Sequence, residues 1–170
     1  MSAESTAISL EQTNAYRAIP WSGLIAGTLD ITAAFVNSGL RGRSPMWVLQ
    51  SIASGLLGAD AFKGGWRTAG IGAVLHFFIA FVAGAVYFAA SRRLEFLVNQ
   101  AIVSGLLYGV AVYLFMYAIV LPLTFHRSFL NPITAVVTGL AIHMLCVGLP
   151  ISLVVRRYSQ QERRPGEPGY

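Results

Sequence analysis

Apolar positions run continuously along this chain rather than alternating with polar ones, and they gather into four long blocks. Residues 20–40, 68–90, 101–121 and 132–155 each supply a run long enough to cross a bilayer, which takes about 20 apolar residues per helix. Asp30 is the only formal charge inside these runs, and every Lys and Arg lies outside them. Lipid offers the backbone no hydrogen-bonding partner, so each run is expected to be helical. Transmembrane β-strands would alternate apolar and polar residues, and these runs do not. The expected fold is therefore an all-α polytopic bundle of four transmembrane helices, arranged as two tandem hairpins.

Composition supports the same reading. Charged residues make up 11% of the chain, and the mean hydropathy is +0.62. A soluble domain carries about 25% charged residues. The net charge of +5 comes from bases flanking the spans, with no interleaved basic and aromatic patch to mark a nucleic-acid surface. A lipid bilayer is the expected partner and nucleic acid is not. The polar first nineteen residues lack a basic n-region and a cleavage site, so the first span is expected to be retained. Cys146 is the only cysteine, which leaves no disulfide framework within the chain.

Four spans put both termini on one side, together with the loop between the second and third spans. That side holds Arg17, Arg92, Arg93, Arg156, Arg157, Arg163 and Arg164; the other holds Arg41, Arg43, Lys63, Arg67 and Arg127. Bases are retained in the cytoplasm, so both termini are expected there. The first external loop contains a stretch, 44–58, that opens Ser44-Pro45 like a capped helix. It is too short to span, and Trp47 and Trp66 near its ends suit an interface. An interfacial or re-entrant helix over the bundle mouth is expected. Residues 1–19 form a polar segment, residues 20–158 the membrane domain, and residues 159–170 a charged tail rich in Pro and Gly, expected to be disordered.

Small residues mark the faces that should meet. Helices in lipid associate through close packing of Gly, Ala and Ser. Span one carries Gly23, Ala26, Gly27, Asp30, Ala33 and Ala34 on one stripe; span two carries Gly72, His76, Ala80 and Gly84. Gly105 and Gly109 open span three, and Gly139 precedes His143 by one turn in span four. Gly23, Gly27, Gly72, Gly84, Gly105, Gly109 and Gly139 are therefore the expected packing positions. Each hairpin reads as a GxxxG helix followed by a GxxxH helix, an internal parallel repeat. In every span that has one, the mid-span ionisable group falls on the small face.

Asp30, His76 and His143 lie at similar depths and form the candidate site. A charge at mid-membrane costs roughly 2.5–3.5 kcal/mol on insertion scales and marks a functional position by default. One carboxylate between two imidazoles can relay protons, because histidine changes charge near neutral pH. The same trio can equally be a static polar network that fixes helix packing, at about 0.6 kcal/mol per contact. His76 and His143 also fit, in principle, the axial ligands of a b-type haem, but nothing else marks a haem protein and no cofactor is expected. A closed zinc site needs four ligands, so no metal is expected either. His126, beside Arg127, reads as a solvated loop residue. No GxSxG elbow, P-loop, HExxH or CxxC is present, so no catalytic residues and no enzyme are expected.

Gly23-Leu24-Ile25-Ala26-Gly27, a histidine-bearing second span, and Gly105-Leu106-Leu107-Tyr108-Gly109 follow one another along the chain. Pro122 and Pro132 then bracket a loop before Gly139-Leu140-Ala141-Ile142-His143 and Arg156-Arg157. This succession resembles the YagU-like family of bacterial inner-membrane proteins, a domain of unknown function. The likeness covers roughly residues 21–157, and the first external loop departs from it. It implies an inner-membrane location and a role in acid stress, and it carries over no catalytic residues. An 18.3 kDa bundle encloses little interior, so transport would require a homo-oligomer or a larger membrane complex. The alternative is a structural or accessory subunit.

Overall fold

A computed structural model describes residues 16–120 and 133–162, and the described residues contain helices and no strands. The helices are α1 (Ala18–Gly39), α2 (Pro45–Leu57), α3 (Gly65–Ser91), α4 (Glu95–Asn99), α5 (Ala101–Phe115), α6 (Ile133–Ile142) and α7 (Leu149–Glu162). A 3₁₀ turn, Gly58–Lys63, joins α2 to α3. Two π-helical segments interrupt the second half: Met116–Val120 continues α5, and His143–Gly148 joins α6 to α7. Ala18–Gly39, Gly65–Ser91, Ala101–Ala118 and Ile133–Gln160 are long and apolar enough to cross a membrane. At 1.5 Å per residue the shortest of them is about 27 Å long, close to the ~30 Å hydrocarbon core. The protein is an all-α polytopic membrane bundle.

The bulky faces point outward. Leu29, Val74, Phe78, Val86, Leu107 and Val137 are all exposed, as a lipid-facing belt requires. Inside, the GxxxG glycines set the crossings. In the first hairpin Gly23 and Gly27 of α1 meet Phe81, Phe77 and Ala80 of α3, while Gly84 of α3 meets Ser22 and the backbone of α1. The second hairpin crosses more closely: a Cβ on Gly148 would collide with the backbone of Gly105 and Gly109. Gly148 belongs to this crossing although the small-residue pattern did not single it out. The hairpins join where α1 packs on α7 and on the π segment before it. Ala18, Ala26, Tyr87, Phe88, Val147, Ile151 and Val155 form the buried core there.

Helix α2 begins as its sequence predicts. Ser44 caps it by accepting a hydrogen bond from Trp47 N at 3.2 Å, and Pro45 opens the first turn. Its end turns at Gly58, whose φ of 62° suits a residue without a side chain. The helix docks along the first turns of α3. Gly72 leaves room for the Leu49 carbonyl, the Gln50 amide donates to Gly65 O at 3.2 Å, and the Thr68 hydroxyl donates to Ala61 O at 2.6 Å.

Boundaries shift at the termini. Span one starts at Ala18 rather than residue 20, because Ala18 is fully buried against the core. Helix α7 continues through Glu162, four residues into the expected tail. Tyr158 packs on the core and Ser159 is buried, so the last turns have a docking surface. The rest of that tail, residues 1–15, and the 122–132 connection with His126 and Arg127 lie outside the described residues.

Candidate functional site

Asp30 follows Gly27 by one turn on the face of α1 that meets α3 and the π segment, His76 follows Gly72 by one turn on α3, and His143 begins the π segment of span four. All three line one cavity of about 240 Å³. The remaining wall is apolar: Ala26, Ile31 and Ala34 from α1, Ile79, Ala80 and Ala83 from α3, and Val112, Met116 and Val147 from the second hairpin. Val48 and Ile52 complete it, so the loop helix α2 is a wall of the chamber. Sequence reasoning placed α2 over the bundle without giving it a share in the site.

Both imidazoles are anchored to carbonyl groups. His76 Nε2 donates to Gly27 O at 2.8 Å, across from α3 to α1. His143 Nδ1 donates to Gly139 O at 2.9 Å, within its own helix. A carbonyl only accepts, so each bond fixes the tautomer of the neutral ring and leaves the opposite nitrogen as an acceptor. Each ring also meets an aromatic edge-on with centroids 5.4 Å apart, Phe77 for His76 and Tyr113 for His143. Gly139 lies directly under the Tyr113 ring.

The trio shares a chamber but not a bond. Among the described residues no hydrogen bond or ion pair connects Asp30 to either histidine. The thiol of Cys146 lies within electrostatic range of the Asp30 carboxylate. Among the described residues no three His, Cys, Asp or Glu side chains are grouped to hold a metal ion. No family model matches this chain, and no curated protein or solved structure does. Its chemistry therefore has to be argued from the chamber itself.

Two features of the site carry no clear signal in the sequence. Both π segments begin at a chamber residue, Met116 and His143. π-Helical insertions of this kind occur mostly as single turns and often at functional sites. A hydroxyl cluster lies beside the chamber. Tyr108 donates to the carbonyl of Ala83, itself a wall residue, at 2.7 Å. Tyr87 donates to Leu97 O at 2.9 Å and lies 2.8 Å from Ser104 Oγ. The Tyr87 and Tyr108 rings meet edge to face at 4.9 Å. Its one sequence cue is polar residues beside the packing glycines: Ser104 precedes Gly105, and Tyr108 precedes Gly109.

Proposed function

We propose that this protein handles protons or small cations in a bacterial inner membrane, with the Asp30, His76 and His143 chamber as its working site and no enzymatic activity. The observation that carries the reading is that three ionisable side chains, from three different spans, line one cavity. At roughly 30 Å³ per water in the liquid, that volume admits several molecules. Such waters can bridge groups that do not touch, which a proton path requires. An intramembrane carboxylate with no hydrogen bond or ion pair among the described residues is costly to keep for packing alone. The flanking arginines support cytoplasmic termini. The likeness to the YagU-like family supports a role in acid stress. Closure of both hairpins through the GxxxG motif of their leading span supports an origin by duplication.

Haem is the weaker partner for this site. His76 commits Nε2 to Gly27, and a macrocycle needs more room than a cavity below the ~300–1,000 Å³ of drug-sized pockets. A structural or accessory role draws on a different observation. The His76 bond to Gly27 is a tie between two helices and would serve packing whether or not Asp30 ever changes charge.

Purified protein in liposomes carrying a pH-sensitive dye separates the two. The expected result is a proton flux under an imposed pH gradient that Asp30→Asn lowers at least tenfold while thermal stability is retained. Equal flux in a well-folded Asp30→Asn protein, or no flux in the wild type, favours the structural reading.

A further inference from the structure

The polarity of the hydrogen-bonding groups in the chamber narrows what it can hold. With both imidazoles neutral, the His76 and His143 N–H groups are spent on Gly27 and Gly139 carbonyls. What remains is the Asp30 carboxylate, His76 Nδ1 and His143 Nε2, all acceptors. The other described lining side chains are hydrocarbon or the Met116 thioether, so among the described residues the wall offers no further side-chain donor. An anion finds nothing to bind, and a neutral alcohol satisfies only part of the set. A primary ammonium group has three donors, no acceptor and a positive charge, so it matches the three acceptors in kind and in number.

Size and lining set the rest of the ligand. An apolar cavity of about 150 Å³ is enough to take up benzene. At about 240 Å³, this chamber has room for a ring and a short amine-bearing tail. We infer that the chamber binds a small lipophilic primary ammonium ion, its charge on Asp30 and its apolar body against α1, α2 and α3. The inference rests on the reading of this chamber as a cation site and names the cation.

Protons compete for the same acceptors. The titratable groups facing Asp30 are His76 from α3 and His143 and Cys146 from span four, while α2 and α5 present only apolar side chains to the chamber. Protonation of the carboxylate or of either ring replaces an acceptor with a donor. A proton and an ammonium ion therefore exclude each other from the same acceptors.

Calorimetric titration of the full-length detergent-solubilised protein with 2-phenylethylammonium tests this. Expected are saturable binding, at least tenfold weaker binding of 2-phenylethanol, and at least a tenfold loss in Asp30→Asn. Equal binding of amine and alcohol by the wild type overturns the inference without recourse to any variant. So does undiminished amine binding by Asp30→Asn. Asp30-dependent proton flux with no amine binding removes the ligand and keeps the proton reading, whereas amine binding with no flux does the reverse.

Discussion

Each hairpin places a histidine one turn after a glycine, yet the two rings are held in opposite ways. His76 reaches across to the α1 backbone at Gly27, so moving it means separating two helices. Among the described residues His143 hydrogen-bonds within its own helix, to Gly139, and it stands where regular α-helix gives way to the π segment. Their surroundings differ in the same sense. The turns before His76 are clamped by α2 through Gln50 and by the 3₁₀ turn through Thr68, whereas α6, before His143, has no fully buried residue. One histidine is a fixed post and the other stands at a joint within its helix. A single chamber therefore combines a static acceptor with one whose position depends on the helix that carries it.

Three measurements can break or sharpen that contrast. The largest effect is expected at the crossings. Gly148→Ala drives a methyl group into the backbone of Gly105 and Gly109. It should cost about 3 kcal/mol or more in reversible unfolding from mixed micelles, at or above the usual overpacking range. Gly27→Ala meets the Phe77 ring and Ala80 Cβ, which are side chains, and should cost about 1 kcal/mol. Equal costs would mean that the two hairpins close by the same kind of contact.

A smaller difference is expected between the histidines. His76→Ala loses a bond between helices, for which membrane proteins average about 0.6 kcal/mol with a maximum near 1.7. His143→Ala loses a bond within its own helix instead, which should contribute less than the about 0.6 kcal/mol average for a bond between helices. Because both rings meet an aromatic at 5.4 Å, the lost ring contact is similar, and the difference reports the bond across the helices. A reversed order would make His143 the post. The most local change is Thr68→Val, which removes the 2.6 Å bond to Ala61 O. About 1 kcal/mol is expected, seen as faster amide exchange confined to α2 and the 3₁₀ turn that follows it, residues 45–63. Faster exchange in α5 or α7 as well would show that the clamp on α2 supports both hairpins.

The sequence showed the outline of this chamber more clearly than its mechanics. Small residues and ionisable groups share a face at Gly27 with Asp30 and at Gly72 with His76, because close approach and exclusion from lipid select the same positions. That pattern is visible in one dimension. The use of each glycine is not: Gly72 admits the loop helix, while Gly139 lies under Tyr113 within its own hairpin. Choosing between such partners depends on rotations of whole helices. The π segments were invisible for another reason. They depend on which carbonyl each amide finds, and Met116–Val120 and His143–Gly148 have compositions that a regular helix would accept equally well. Hydroxyl bonds such as Tyr87 to Ser104 join residues 17 apart on different helices, and no local spacing announces them.

Contact between α1 and span four has a consequence for how the protein is made. The pairing within each hairpin joins neighbours along the chain and can form as soon as each hairpin is synthesised. Asp30 and His76 can thus share a half-built pocket early, already tied by the bond to Gly27. His143 arrives only when the last span docks on the first, through contacts that bridge more than a hundred residues. Closing so long a loop is the slowest kind of pairing. During synthesis the chamber is the final piece assembled, and a nascent chain lacking span four holds its carboxylate without the second histidine.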